Sequence, residues 1–422
     1  MQWRKLLILS AAFILLLAIF GCTSSPDVPG TSPTSTPTVP PPTSTPTVPP
    51  PSARSTLPPR ISATTVGGAY TPSLQPSEEG QPTENTVYYL SWQRDGELDQ
   101  SEIWKTSLDG TDQRLIYQRT RQWETVEVLG GISVESWGIE VLELSPDGKK
   151  LAFADLLGYG TEPGPHIWFY KQASVWVINV DGSHPVELLE FTAEDGKESE
   201  CIVSKIVWSP DSTRILIHRN CVPHHPDIIL VVNVLTGEVT EIGPGSGGSW
   251  SPDGQYVAYA RNRHPSDLDD VYGLYVATAD GREKKLVLQW NEFEGYNAGP
   301  EWSPDGERLV FSDGNSRVYT ISRDGTQLRQ LLEGYTYPQW SPDGKYVSLI
   351  RESEYFALYA MDVHNGHIWR LWSQTLPESV EWSVDSEFLL VETQGQSGGV
   401  YYVRVEDGAR FSIPVSGGHP TW

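Results

Sequence analysis

"EWSPDGERLVFS", residues 301–312, is the stretch that decides the reading of this 422-residue chain. A Trp ends one segment, Ser-Pro-Asp-Gly turns the chain, and an apolar run leaves the turn. Pro presets the first central turn position, Ser and Asp bond their own backbone, and Gly accepts positive φ. The unit is therefore a β-hairpin. Copies stand at 144–148 (with Leu for Trp), 208–212, 250–254, 302–306, 340–344 and 382–386, the last as Trp-Ser-Val-Asp-Ser. Their first residues lie 64, 42, 52, 38 and 42 apart. Periods of about 40–45 residues mark propeller blades of four strands each.

Each copy leads into three further segments. After Trp302 these are "LVFSD", "VYTISRDG" and "LRQLLEG", and after Trp250 they are "YVAYA", "LYVATADG" and "KLVLQW". Two incomplete pieces flank the six copies. "VYYLSW" (87–92), "EIWKTSLDG" (102–110) and "QRLIYQ" (113–118) match three outer strands, and "GGHPTW" (417–422) matches an inner one. Joined, they make a seventh blade and remove the open edges that invite aggregation. The expected fold is an all-β, seven-bladed propeller over 85–422, closed by the C-terminal strand. The Trp of each copy is expected to wedge between blades, burying ~150–250 Å². Ser212 and Ser386 occupy the Gly position, so their turns are expected to be less ideal.

Composition agrees. The chain has 38 Gly, 33 Pro and 16 Trp but 2 Met, which favours turns and strands over helices. Its formal net charge is -24. Four bases (Arg4, Lys5, Arg54, Arg60) and four acids (Asp27, Glu78, Glu79, Glu84) cancel within 1–84, so the excess lies on 85–422. A surface this acidic repels polyanions, which excludes nucleic acid and anionic headgroups as partners of the folded part.

Residues 1–21 have the layout of an export signal. Arg4 and Lys5 precede the apolar run "LLILSAAFILLLAIF", which ends at Gly21-Cys22. At 15 residues the run is short for a membrane-spanning helix, which needs ~20. "IFGC" resembles the lipobox of bacterial lipoproteins. That resemblance implies cleavage before Cys22, lipidation of Cys22 and a membrane anchor. The alternative is an uncut signal anchor. Residues 22–84 then form a Pro/Thr-rich linker, with "TSTPTVPPP" standing twice in tandem at 34–42 and 43–51. Such sequence builds no core and favours extended polyproline conformations, with a reach on the order of 100–200 Å at ~3.1 Å per residue.

The recurring Trp-Ser-Pro-Asp-Gly unit resembles the repeats of the TolB-like β-propeller superfamily, also seen in prolyl oligopeptidase propellers. The resemblance covers about 87–422 and implies the fold. The hydrolase domain that follows the prolyl oligopeptidase propeller is not expected, since the sequence reaches Trp422 with the propeller complete.

No catalytic, cofactor or metal residues are assigned. Gly395-Gln-Ser-Gly-Gly399 fits G-x-S-x-G, but Ser397 falls in a hairpin rather than a strand-to-helix elbow. His218, His224, His225 and Asp227 could ligate a transition metal, although a Pro-rich loop with exposed histidines accounts for them. Asp267, Asp269 and Asp270 offer oxygen ligands without the EF-hand spacing. Six turn-capping Asp residues need no metal.

Long connections at 119–137, 156–172, 191–201, 219–227, 262–271 and 290–299 are expected on the face opposite the Ser-Pro-Asp-Gly turns. Loops over a rigid scaffold are where binding concentrates. The candidate binding face is Tyr159, Trp168, Phe169, Tyr170, His224, His225, Asp267, Trp290, Phe293 and Tyr296. The competing account is that "IWFY" (167–170) extends a strand and the other rings pack under loops. The leading functional expectation is a non-catalytic binding or scaffold module with a monomeric head, for an envelope protein, peptide or glycan. The rival is a propeller lyase or hydrolase, with His218, His224 or His225 near a metal. Finally, Cys201 and Cys221 flank the turn at 209–212. For a hairpin centred near 210–211, paired positions sum to about 421–422, so the two face each other and a disulfide is expected in an exported protein.

Overall fold

The computed structural model describes residues 86–95, 98–122, 125–128, 131–161, 168–192, 201–221, 227–261, 271–289, 298–351, 357–373, 377–393 and 399–422. The expected signal, Cys22 and linker lie outside these, as do His224, His225, Asp267, Asp269, Asp270, Trp290, Phe293, Tyr296 and Ser397.

Every regular element in the described residues is a strand. Blade 1 opens with β1 (Thr86–Asp95), β2 (Leu98–Ser107) and β3 (Arg114–Gln122). Blade 2 is β4 (Thr125–Val128), β5 (Gly131–Leu144), β6 (Lys150–Thr161), β7 (Trp168–Asn179) and β8 (Val186–Thr192). Blade 3 is β9 (Cys201–Trp208), β10 (Arg214–Cys221), β11 (Ile228–Asn233) and β12 (Val239–Pro244). Blade 4 is β13 (Ser246–Trp250), β14 (Tyr256–Arg261), β15 (Gly273–Thr278) and β16 (Lys284–Gln289). Blade 5 is β17 (Ala298–Trp302), β18 (Arg308–Ser312), β19 (Arg317–Ser322) and β20 (Arg329–Glu333). Blade 6 is β21 (Thr336–Trp340), β22 (Tyr346–Arg351), β23 (Ala357–Asp362) and β24 (Ile368–Ser373). Blade 7 is β25 (Pro377–Trp382), β26 (Phe388–Thr393), β27 (Gly399–Arg404) and β28 (Arg410–Ile413). The last strand, β29 (Gly418–Thr421), returns to blade 1 and pairs antiparallel with β1, Tyr88 opposite Thr421 and Leu90 opposite Gly418. The ring of seven closes as the repeat count requires.

Two of the expected loops are strands instead. Segment 119–137 makes the end of β3, all of β4 and the start of β5, giving blade 2 a fifth strand. Segment 156–172 mostly extends β6 and β7, with Tyr159 paired to Phe169, Gly158 to Tyr170 and Gly160 to Trp168. Of the two accounts of "IWFY", strand extension is the observed one for 168–170. Runs such as "ISVESW" and "WFY" are rich in β-branched and aromatic residues, which suit a pleated hairpin better than a loop.

The core is divided among the seams. Alternate residues of a strand point to opposite sheet faces, so each blade offers apolar residues to both neighbours. Ala154 and Val175 of blade 2 pack with Ile206 and Ile217 of blade 3, Leu216 and Ile229 of blade 3 with Val257 and Tyr259 of blade 4, and Val87 of blade 1 with Leu390 and Val400 of blade 7. The repeated Trp sits in these seams as expected, and it adds a hydrogen bond. Trp208 Nε1 donates to the Glu143 carbonyl at 3.1 Å, Trp250 to Val207 at 3.1 Å, Trp382 to Gln339 at 3.3 Å and Trp422 to Glu381 at 3.4 Å. Each indole thus ties its blade to the inner strand of the preceding one.

The six turns share one network. Ser Oγ donates to Asp Oδ1 two residues on, at 2.5–2.8 Å, in all six. The same oxygen accepts the amide two residues further, as from Glu307 at 3.0 Å. Where Gly is replaced, the Ser still takes positive φ, 56° at Ser212 and 63° at Ser386.

Candidate functional site

Strand alternation fixes what the repeat presents to the propeller axis. The residue before each Trp, or before Leu144, lies on the opposite face of its strand. These residues are Glu143, Val207, Ser249, Glu301, Gln339, Glu381 and Thr421; Glu143, Glu301, Gln339 and Glu381 line the central channel, whereas Val207 packs in the seam with blade 4 and Ser249 donates to the Pro300 carbonyl of blade 5. The channel has a volume of about 570 Å³, and its walls carry Glu140, Glu143, Glu301, Glu378 and Glu381. Lys205 is the one amine among the described lining residues, and its Nζ lies 3.3 Å from Glu301 Oε1.

This charge imbalance is costly inside protein walls. Burial pushes the Glu143 carboxyl up to about 7, with Lys205 pulling down and Glu301 pushing up. Burial, then the nearby Glu143 charge, raises Glu381 well above the usual carboxylate range, against a hydrogen bond from Thr421. Thr421 Oγ1 donates to Glu381 Oε1 at 3.3 Å and accepts the Leu144 amide at 3.3 Å, so the closing strand also shapes the channel. Burial likewise raises Glu392, which accepts the His419 amide at 2.9 Å and a hydrogen bond from Glu378. Trp302 lines the same channel. It is only 6% exposed, and its Nε1 has no partner among the described residues.

Toward the start of the inner strands the backbone is strained. Tyr337 and His419 take φ of 49° and 48° beside register shifts in β21 and β29. Positive φ in a bulky residue is rare and clusters at functional sites. Both side chains are exposed and line the channel. The His419 ring packs edge-on against Trp92 at 5.8 Å, and Trp92 is fixed by donating to the Ile139 carbonyl at 3.0 Å.

Of the candidate binding face expected from sequence, Tyr159, Trp168, Phe169 and Tyr170 lie in the β6–β7 extension. His218 has both ring nitrogens engaged within the protein, Nδ1 with Ser204 Oγ at 2.9 Å and Nε2 with Asp227 Oδ2 at 3.3 Å. Among the described residues no group of three or more His, Cys, Asp or Glu could hold a metal ion. Cys221 stands opposite Cys201 in the β9–β10 register. The offset near the turn is one residue larger than the simple hairpin sum, and an unpaired residue at Ser204 restores it. The channel carboxylates fall at a position that varies from copy to copy, so the repeat does not reveal them. The available signal was the variable residue before Trp, of which Glu301 is the first letter of the deciding stretch.

A family model described as the TolB beta propeller domain matches residues 171–422. The chain belongs to that family. Among characterised and uncharacterised relatives, the protein Atu1656 of Agrobacterium fabrum is 28% identical over 158 residues, covering 33% of this chain and 51% of that one. The Tol-Pal system protein TolB of Alcanivorax borkumensis is 32% identical over 127 residues, covering 28% of this chain and 27% of its own length. The chain therefore spans about half or less of these relatives. The crystal structure of TolB from Acinetobacter baumannii is 15% identical with a TM-score of 0.45, covering 80% of this chain and 82% of that one. An oligogalacturonate lyase in complex with manganese is 16% identical with a TM-score of 0.47, covering 69% of this chain and 84% of that one.

Proposed function

We propose that this TolB-family propeller is a lipid-anchored envelope protein that binds a cationic segment of a partner protein or peptide in its acidic channel. The observation that carries the reading is the burial of Glu143 and Glu381 side by side, with Glu301, against one lysine. Buried carboxylates that raise one another's pKa are relieved by an arriving ammonium or guanidinium. Strained, exposed Tyr337 and His419 at the mouth offer ring surface to the entering chain. An acidic polymer or a lipid headgroup would meet repulsion instead.

The rest of the reading is carried by sequence. Residues 1–21 serve as the export signal, Cys22 bears the lipid, and 22–84 hold the propeller away from the membrane. An exported location permits a Cys201–Cys221 disulfide, and their opposed register supports it. Mass spectrometry on unreduced protein checks this: both thiols alkylating without reductant would overturn the bond. Membrane pelleting of a Cys22→Ser variant that keeps residues 1–21 would do the same for lipidation.

The binding test uses full-length Cys22→Ser protein titrated with a lysine-rich peptide and a glutamate-rich peptide of equal length. The basic peptide is expected to bind, to weaken with salt, and to lose about tenfold in affinity, ~1.4 kcal/mol, on Glu381→Gln. Equal affinity for both peptides would overturn the reading.

A further inference from the structure

We propose that Ser204, His218 and Asp227 form a nucleophile relay on the channel wall, giving the propeller a hydrolytic activity toward uncharged or cationic acyl esters. The β9–β10 register pairs Lys205 with His218 and Val203 with Arg219, so Ser204 is the extra, unpaired residue of a bulge. Bulges re-aim a side chain, and they are enriched beside active sites. Here the bulge sets Ser204 Oγ 2.9 Å from His218 Nδ1, while His218 Nε2 lies 3.3 Å from Asp227 Oδ2. With Nε2–H donating to Asp227, the Nδ1 lone pair faces the Ser204 hydroxyl. Ser-His-Asp relays are recognised by these roles and distances, not by order in the chain.

Exposure separates this arrangement from a merely satisfied core histidine. His218 is 9% exposed and Asp227 half-buried, whereas Ser204 is exposed and lines the channel. The reaction balances with water as the only co-reactant. Ser204 Oγ bonds to the ester carbonyl carbon as its proton passes to His218 Nδ1. Collapse of the tetrahedral intermediate breaks the bond to the leaving alcohol, which takes that proton. Water then attacks the acyl-serine, His218 again relaying the proton, and the carboxylic acid and free Ser204 are released. The channel's carboxylates disfavour anionic esters, which sets the substrate class. The Lys205 ammonium lines the same cavity as a hydrogen-bond donor. The inference stands apart from peptide docking, since it rests on the relay and not on the channel's affinity for a cation.

The test treats full-length Cys22→Ser protein with an uncharged alkyl fluorophosphonate and maps the adduct by mass spectrometry. One adduct is expected, at Ser204, absent in Ser204→Ala. His218→Gln should slow labelling about 100-fold. Asp227→Asn should slow it less and alter the pH profile of the rate. p-Nitrophenyl acetate hydrolysis should be lost in Ser204→Ala, whose exposed position leaves the thermal melt unchanged. No adduct at Ser204, or equal labelling of a His218→Gln protein that melts like the parent, would overturn the relay.

Discussion

The carboxylates of the turn rim and those of the channel differ in everything except chemistry. At the rim, Asp147, Asp211, Asp253, Asp305 and Asp343 are all held below the usual range. In four of them partial burial pulls upward, and hydroxyl and amide hydrogen bonds together outweigh it. In Asp305 the Ser303 hydroxyl is the largest influence. In the channel, burial pushes Glu143 and Glu381 the other way, and it does the same to Glu392 in β26. Rim acids are supplied with donors within their own turn. Channel acids face one another across a gap. The rim repeats because any blade needs the same turn. The channel varies because nothing in blade geometry dictates the residue before Trp, so that position is open to function.

The strand that belongs to both regions gives the largest test. Residues 417–422 supply β29 to blade 1, Thr421 to the channel and the Trp422 indole to the seam with blade 7. Deleting them should abolish the cooperative thermal transition or render the protein insoluble, by exposing strand edges on blade 1. Unchanged melting would show that closure does not hold the ring together.

Next come the channel acids themselves. A carboxyl whose folded pKa is raised gives stability that is complete below its unfolded pKa, near 4.5 for Glu143, and lost as pH rises through about 7. Glu143→Gln and Glu381→Gln should therefore match the parent at pH 4.5 and exceed it at pH 8, by about 1–3 kcal/mol. Urea melts at the two pH values read this out. Variants less stable than the parent at pH 8 would mean that a cation already satisfies the channel. Asp305→Ala makes the opposite change at the rim. It removes the Asp305 acceptor from the Glu307 amide and leaves Ser303 Oγ only its bonds to Arg308, and should cost about 1 kcal/mol at neutral pH. Since Asp305 is lowered, its contribution is present above the ordinary Asp range and should vanish as pH falls through the depressed value.

The rim, the blade count and the closing strand were legible because turn chemistry is local and recurs. The Cys201–Cys221 register was legible too, though it depends on the bulge at Ser204, which hairpin arithmetic had absorbed without seeing. For segment 156–172 the sequence left loop and strand extension both open, because a hairpin reaching beyond the blade has no counterpart in the other copies. The channel needed the ring itself: Lys205 and Glu301 are 96 residues apart in the chain and meet only across the axis. His218 and Asp227 stood out as a polar cluster. Ser204, the member that changes their meaning, carries no sequence signal of its own.

The smallest expected effect is also the finest test of what makes rim turns alike. A Cβ at Gly254 would meet nothing nearer than 3.4 Å, so glycine there answers the φ of 66° rather than a lack of space. Ser212 and Ser386 accept that φ at a cost of about 1–2 kcal/mol. Each offsets it with a bond glycine lacks. Ser212 Oγ accepts the Asp147 amide at 3.1 Å, and Ser386 Oγ accepts the Asp343 amide at 3.0 Å, both in the preceding blade. Ser386→Gly relieves the strain and loses the bond, so it should fall within about 0.5 kcal/mol of the parent. Ser386→Ala keeps the strain and loses the bond to the Asp343 amide, and should cost about 1 kcal/mol. If the Gly variant loses as much as the Ala variant, the cross-blade bond outweighs the backbone term. These two rim turns are then specialised seams, and the uniformity that sets rim against channel holds for only four of the six.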